Sequence, residues 1–89
     1  MGAVYDNARA EYLVEMNVLI SVNDGEPMEG TLVAYPGTDD RSIKVYAKDG
    51  LHMAERHEMT WLDHDLFEAV CIDEDGKLME RFKVWTILA

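Results

Sequence analysis

The chain has 89 residues, 48% of them hydrophobic, with 18 acidic against 8 basic side chains and a formal charge of −10 at pH 7. That length holds one domain, residues 1–89, with a modest core, and that hydrophobic content excludes a disordered acidic tail. The charge repels bare nucleic acid and anionic membranes and attracts basic protein surfaces.

Residues 1–11, with alanines at 3, 8 and 10, suit an N-terminal arm or a short helix. Alternation then predicts a half-buried strand over residues 12–22, where Tyr12, Val14, Met16, Val18, Ile20 and Val22 share one face. Asn23-Asp24-Gly25-Glu26-Pro27 is a turn, with glycine supplying positive φ. A strand over residues 28–35 pairs across it in the register Val22 opposite Met28, Ile20 opposite Gly30, Val18 opposite Leu32 and Met16 opposite Ala34.

After a turn at Pro36-Gly37-Thr38-Asp39-Asp40, residues 42–48 alternate again, and Asp49-Gly50 predicts a type I′ hairpin turn. Residues 51–59 carry His52, Glu55, Arg56, His57 and Glu58, which marks an edge strand or a strongly exposed one. Residues 60–65 fit a loop or one helical turn. Residues 66–72 and 78–88 form the last hairpin across Asp73-Glu74-Asp75-Gly76-Lys77. With Ile72 opposite Leu78, the apolar face is Leu66, Val70, Ile72, Leu78, Phe82, Val84 and Leu88. Val18, Ile20, Leu32, Val45, Val70, Phe82 and Val84 are the expected core. The sum is an all-β or mainly β domain: a small antiparallel curled sheet or barrel of five to six strands with at most a short helix.

Gly30-Thr31-Leu32-Val33-Ala34-Tyr35, with the acidic turn and Ser42-Ile43-Lys44-Val45 after it, resembles the bent second and third strands of small RNA-binding barrels of the Sm type. The resemblance covers under a third of the chain. Phosphate binding calls for a patch of lysine and arginine, so the charge of the domain runs against that function.

Cys71 is the lone cysteine and sits in an apolar run, which reads as a small buried hydrophobe in a reducing, cytoplasmic setting. His52 and His57 are five apart and face opposite sides of a strand, and Asp63-His64-Asp65 lacks the thiolates of a closed zinc site. No metal or cofactor is therefore expected. Ser21 and Ser42 lie outside any nucleophile elbow, and the chain has no glycine-rich phosphate loop, so the expected class is non-enzymatic.

The acidity is uneven: residues 1–30 hold six acids against one base, and residues 55–75 hold eight against one. Carboxylates two apart on a strand lie about 6.6 Å from each other, near two rises of a nucleic-acid strand at roughly 3.4 Å each. The expected partner face is Glu55, Glu58, Trp61, Asp63, Asp65, Glu68, Asp73, Glu74 and Asp75, directed at the basic surface of a nucleic-acid-binding host protein. In size and charge alone the chain resembles small acidic phage and mobile-element inhibitors of CRISPR, restriction or transcription machinery, which implies a non-enzymatic protein that blocks such a surface. The alternatives are a β-barrel assembly module that oligomerises, with a homodimer as its simplest form, and a barrel that binds a small ligand or metal.

Overall fold

The computed structural model describes residues 2–6, 11–34 and 42–86, with side chains from residue 15 onward. The strands are β1 (Gly2–Asp6), β2 (Glu11–Val22), β3 (Met28–Ala34), β4 (Ser42–Ala47), β5 (Gly50–Glu55), β6 (Met59–Asp63), β7 (Leu66–Ile72) and β8 (Leu78–Trp85). One 3-10 turn, Arg56–Glu58, joins β5 to β6 and is the helical element among the described residues. All-β structure is as expected, with two strands more than anticipated. β1 occupies part of the segment read as an arm or short helix, and β6 takes residues 60–63 of the segment read as a loop or helical turn, leaving His64 and Asp65 as the turn. The turn at residues 36–40, Ala8, Ala10, Ile87 and Leu88 lie outside the described residues, as do the side chains of Tyr12 and Val14.

A single antiparallel sheet runs in the order β5-β4-β3-β2-β8-β7-β6, with β1 also on β2. Its two end strands, β5 and β6, are consecutive in the chain, so the sheet curls into a half-barrel whose ends are one 3-10 turn apart. β2 is long enough for three partners: β3 along residues 14–20 on one edge, with β1 along 11–15 and β8 along 19–22 on the other. The concave side holds the core of Val18, Ile20, Leu32, Val45, Ala54, Phe67, Ala69, Cys71, Phe82 and Val84.

The β2–β3 register is two residues off expectation: Ile20 faces Met28 and Val18 faces Gly30. An even slip keeps each apolar face intact, so the pattern alone does not exclude it. The turn chemistry decides. Asn23 (φ 51°) and Asp24 (φ 60°) are the left-handed residues, and the Gly25 N–H donates to Val22 C=O at 2.9 Å, a type I′ turn not built on glycine. Pro27, without an N–H, then keeps the chain out of the ladder until Met28.

At the β4–β5 hairpin Ala47 pairs with Gly50, so the turn residues are Lys48 and Asp49, neither at positive φ; Gly50 (φ 133°) opens β5. The expected Asp49-Gly50 turn thus lies one residue early. The β7–β8 hairpin does pair Ile72 with Leu78, but a bulge between Cys71 and Ile72 shifts the rest by one, giving Ala69 opposite Phe82 and Phe67 opposite Val84. That bulge reverses the face of β7. Phe67, Ala69 and Cys71 point inward, while Val70 leaves the core and Ile72 and Leu78 are half exposed.

Candidate functional site

The nine residues expected to form one partner face fall into separate places. Glu55 ends β5 and Glu58 lies in the 3-10 turn, where its Oε1 accepts the Glu55 N–H at 2.7 Å. This local contact explains why residues 51–59 do not form one strand: the carboxylate satisfies a backbone donor at the bend. Asp73, Glu74 and Asp75 form the β7–β8 turn, where Asp73 Oδ1 accepts from the N–H groups of Asp75 and Lys77 at 2.9 Å each. Gly76 takes φ 79° there. The Asp73 carboxylate is therefore occupied in holding its own turn.

Trp61, Asp63, Asp65 and Glu68 lie toward the opposite end of β7, with Trp61 on the Phe67 face of the sheet and Glu68 on the other. β6 is an end strand of the sheet, and its Trp61 is 56% exposed with Leu62 beside it at 51%. Trp61 meets the buried ring of Phe67 edge-on, with centroids 5.1 Å apart and planes at 62°. One edge of the indole is thus fixed by the core, and the rest faces solvent. Leu62, which sequence reasoning missed, sits in the irregularity between Trp61 and Asp63, where it has no register partner.

Beyond it, Asp63 Oδ1 accepts the His64 backbone N–H at 2.7 Å and meets His64 Nδ1 at 2.9 Å. The backbone donor first, then the His64 side chain, hold the Asp63 carboxyl below its ordinary range. The hydrogen bond to Asp63, with the charges of Asp65 and Asp63, raises His64. Glu68 faces away from the core with Thr60 on one flank and Lys83 on the other. Residues 57–76 contain seven carboxylates and no lysine or arginine. The two acidic turns lie at opposite ends of the seven-residue β7, roughly 23 Å apart at about 3.3 Å per residue.

The histidines do not converge. His57 is in the 3-10 turn and His64 in the β6–β7 turn, while His52 is buried on β5 between Asp49 and Glu80. Asp63, His64 and Asp65 bring one ligand atom each to within 4.8 Å, on a solvent-exposed turn. Cys71 donates its S–H to Met53 C=O at 3.3 Å, and burial, then Glu58 and Glu80, push its thiol up to about 11. Both ring nitrogens of His52 face carboxylates, so neither serves as a base for that thiol. A groove of about 290 Å³ crosses β2, β3 and β4 over Asn17, Thr31 and Tyr46, flanked by Glu29 and Lys48; it contains none of the nine expected residues.

No helix among the described residues is long and apolar enough to cross a membrane. No protein-family model, curated protein or solved structure matches this chain.

Proposed function

We propose that this chain is a non-enzymatic interaction protein that docks on the basic, nucleic-acid-binding surface of another protein and blocks it, as phage and mobile-element inhibitors do. The observation that carries this reading is the β6 edge: Trp61 and Leu62, both half exposed, stand beside Asp63 and Asp65 on the strand that ends the sheet among the described residues. Interfaces draw their affinity from a few aromatic anchors that become buried, while surrounding charges steer the encounter. A tryptophan held rigid on one edge by Phe67 loses little freedom on binding.

The test uses the intact chain as bait in nuclease-treated host lysate. One comparison carries Trp61→Ala with Asp63→Lys, Asp65→Lys and Glu68→Lys; the other carries Asp24→Lys, Glu26→Lys and Glu29→Lys. Wild type and the second variant should retain a nucleic-acid-binding protein that the first variant loses and that duplex DNA or RNA displaces. Equal retention by all three would refute the assignment of this face.

Self-assembly is the second reading, favoured by the exposure of Ile72 (52%), Leu78 (51%) and Met79 (68%) at the far end of the β7–β8 hairpin. Such an assembly would grow stronger with salt, because salt screens the repulsion between copies at −10 each. Docking on a basic partner would weaken. Sedimentation velocity at low and high salt separates the two.

A further inference from the structure

His52 takes no part in the β6 face, yet both of its ring nitrogens are engaged by carboxylates. It is 7% exposed on β5, with Nε2 2.9 Å from Asp49 Oδ1 and Nδ1 3.0 Å from each oxygen of Glu80. Asp49 belongs to the β4–β5 turn and Glu80 to β8, a strand that is not a sheet neighbour of β5. The ring therefore ties one end of the sheet across the mouth of the half-barrel to its middle.

A neutral imidazole has one N–H and one lone pair. Between two carboxylates it would aim the lone pair at one of them, at hydrogen-bond distance. An imidazolium donates to both. The remaining surroundings do not disturb this balance. Phe82 presents its ring at 5.9 Å, and Cys71, the register partner of Glu80 on β7, keeps a neutral thiol. Val45, opposite His52 on β4, is apolar. Among the described residues, no lysine or arginine pairs with Asp49 or Glu80, so the ring is their counter-charge.

We propose that protonated His52 is a clasp holding the end strand β5 against β8, and that loss of its proton frees β5 and opens the seam between β5 and β7. The Cys71 to Met53 contact lies in this seam, so opening uncovers Cys71, Ala54 and Phe82 beside Leu51 and Met53, which are already half exposed. The pH direction follows from the surroundings. Burial lowers the His52 pKa, but the hydrogen bonds to Asp49 and Glu80 and their charges outweigh it, and the folded value lies above 6.5. The clasp is therefore at full strength below pH 6.5 and is lost as pH rises through the folded value.

The test follows two signals in the full chain from pH 5 to 10: the ring-nitrogen shifts of His52, and amide-exchange protection factors of β5 with those of β3 as the internal reference. One proton coupled to opening lowers β5 protection about tenfold per pH unit between 6.5 and the His52 midpoint, with levelling above it. β3 should stay flat. His52→Gln should abolish the pH dependence of β5, and Asp49→Asn should move the His52 midpoint down. A midpoint at or below 6.5, flat β5 protection across the titration, or a pH dependence that persists in His52→Gln would overturn the clasp. Should His52→Gln fail to fold, Asp49→Asn decides alone, because an unmoved midpoint overturns it equally.

Discussion

Truncating Phe67 to alanine tests the reversed face of β7 directly. Phe67 is 1% exposed, pairs with Val84 and supports the Trp61 ring, whereas Ile72, which the side-chain pattern would place inside, is 52% exposed. Phe67→Ala removes on the order of 150 Å² of buried apolar surface, which at about 25 cal/mol per Å² is about 4 kcal/mol, within the usual range of about 3–5 kcal/mol for this change. Ile72→Ala removes a side chain already half in water and should cost about 1 kcal/mol. Urea titration followed by tryptophan fluorescence reads both. With a denaturant slope of about 1–2 kcal/mol per M, Phe67→Ala should lower the midpoint by about 2–4 M, and Ile72→Ala by about 1 M or less. A larger loss from Ile72→Ala than from Phe67→Ala would show that β7 presents its other face to the core, and the bulge at residues 71–72 would be wrong.

Gly30→Ala places a Cβ 3.1 Å from the Tyr46 carbonyl oxygen and 3.1 Å from Val45 Cγ1; the carbonyl is backbone and gives little, so a thermal melt should show a loss of about 1–3 kcal/mol. An unchanged melting temperature would mean that β3 and β4 separate more easily than their register implies. Cys71, with its thiol near pKa 11 and its S–H on Met53 C=O, should react with a disulfide reagent at pH 6, where the His52 clasp is closed, at least about tenfold more slowly than after denaturation, since about two pH units cut its thiolate about a hundredfold and greater nucleophilicity returns about tenfold. Fast labelling of the folded chain at that pH would show that the β5–β7 seam is already open.

Most strands were legible because their apolar residues alternate on one face only. Val18 and Ile20 on β2 and Val45 on β4 are inward as read, and Phe82 and Val84 on β8 follow the same logic. β7 defeats that logic because it is apolar on both faces: Leu66, Val70 and Ile72 on one, Phe67, Ala69 and Cys71 on the other. A one-residue bulge decides between them, and a bulge is a backbone event with no side-chain signature at this position. The candidate site was partly legible. Asp63, Asp65 and Trp61 cluster because they are close in sequence, but an extended strand carries Asp73, Glu74 and Asp75 away from them. The link between His52 and Glu80 spans 28 positions and depends on how far the sheet curls, which no local pattern encodes.

The strand order also determines how this chain must assemble. β2 to β5 form one run of neighbours and β6 to β8 another, each built from hairpins between consecutive strands, and within the sheet the two runs meet through four residue pairs, Leu19–Trp85 to Val22–Phe82. Ile20 and Val84 are more than sixty residues apart, so closing that loop costs about 3–4 kcal/mol of chain entropy before the seam returns any contact. Local hairpins form in microseconds, and it is non-local pairing such as this junction that slows folding. Val18, Ile20, Phe82 and Val84, fully buried at or beside that junction, are where the two halves become one cooperative unit. Until they meet, each half leaves a strand edge unpaired among the described residues, and the 3-10 turn at Arg56–Glu58 is the link that carries the chain from one run to the other.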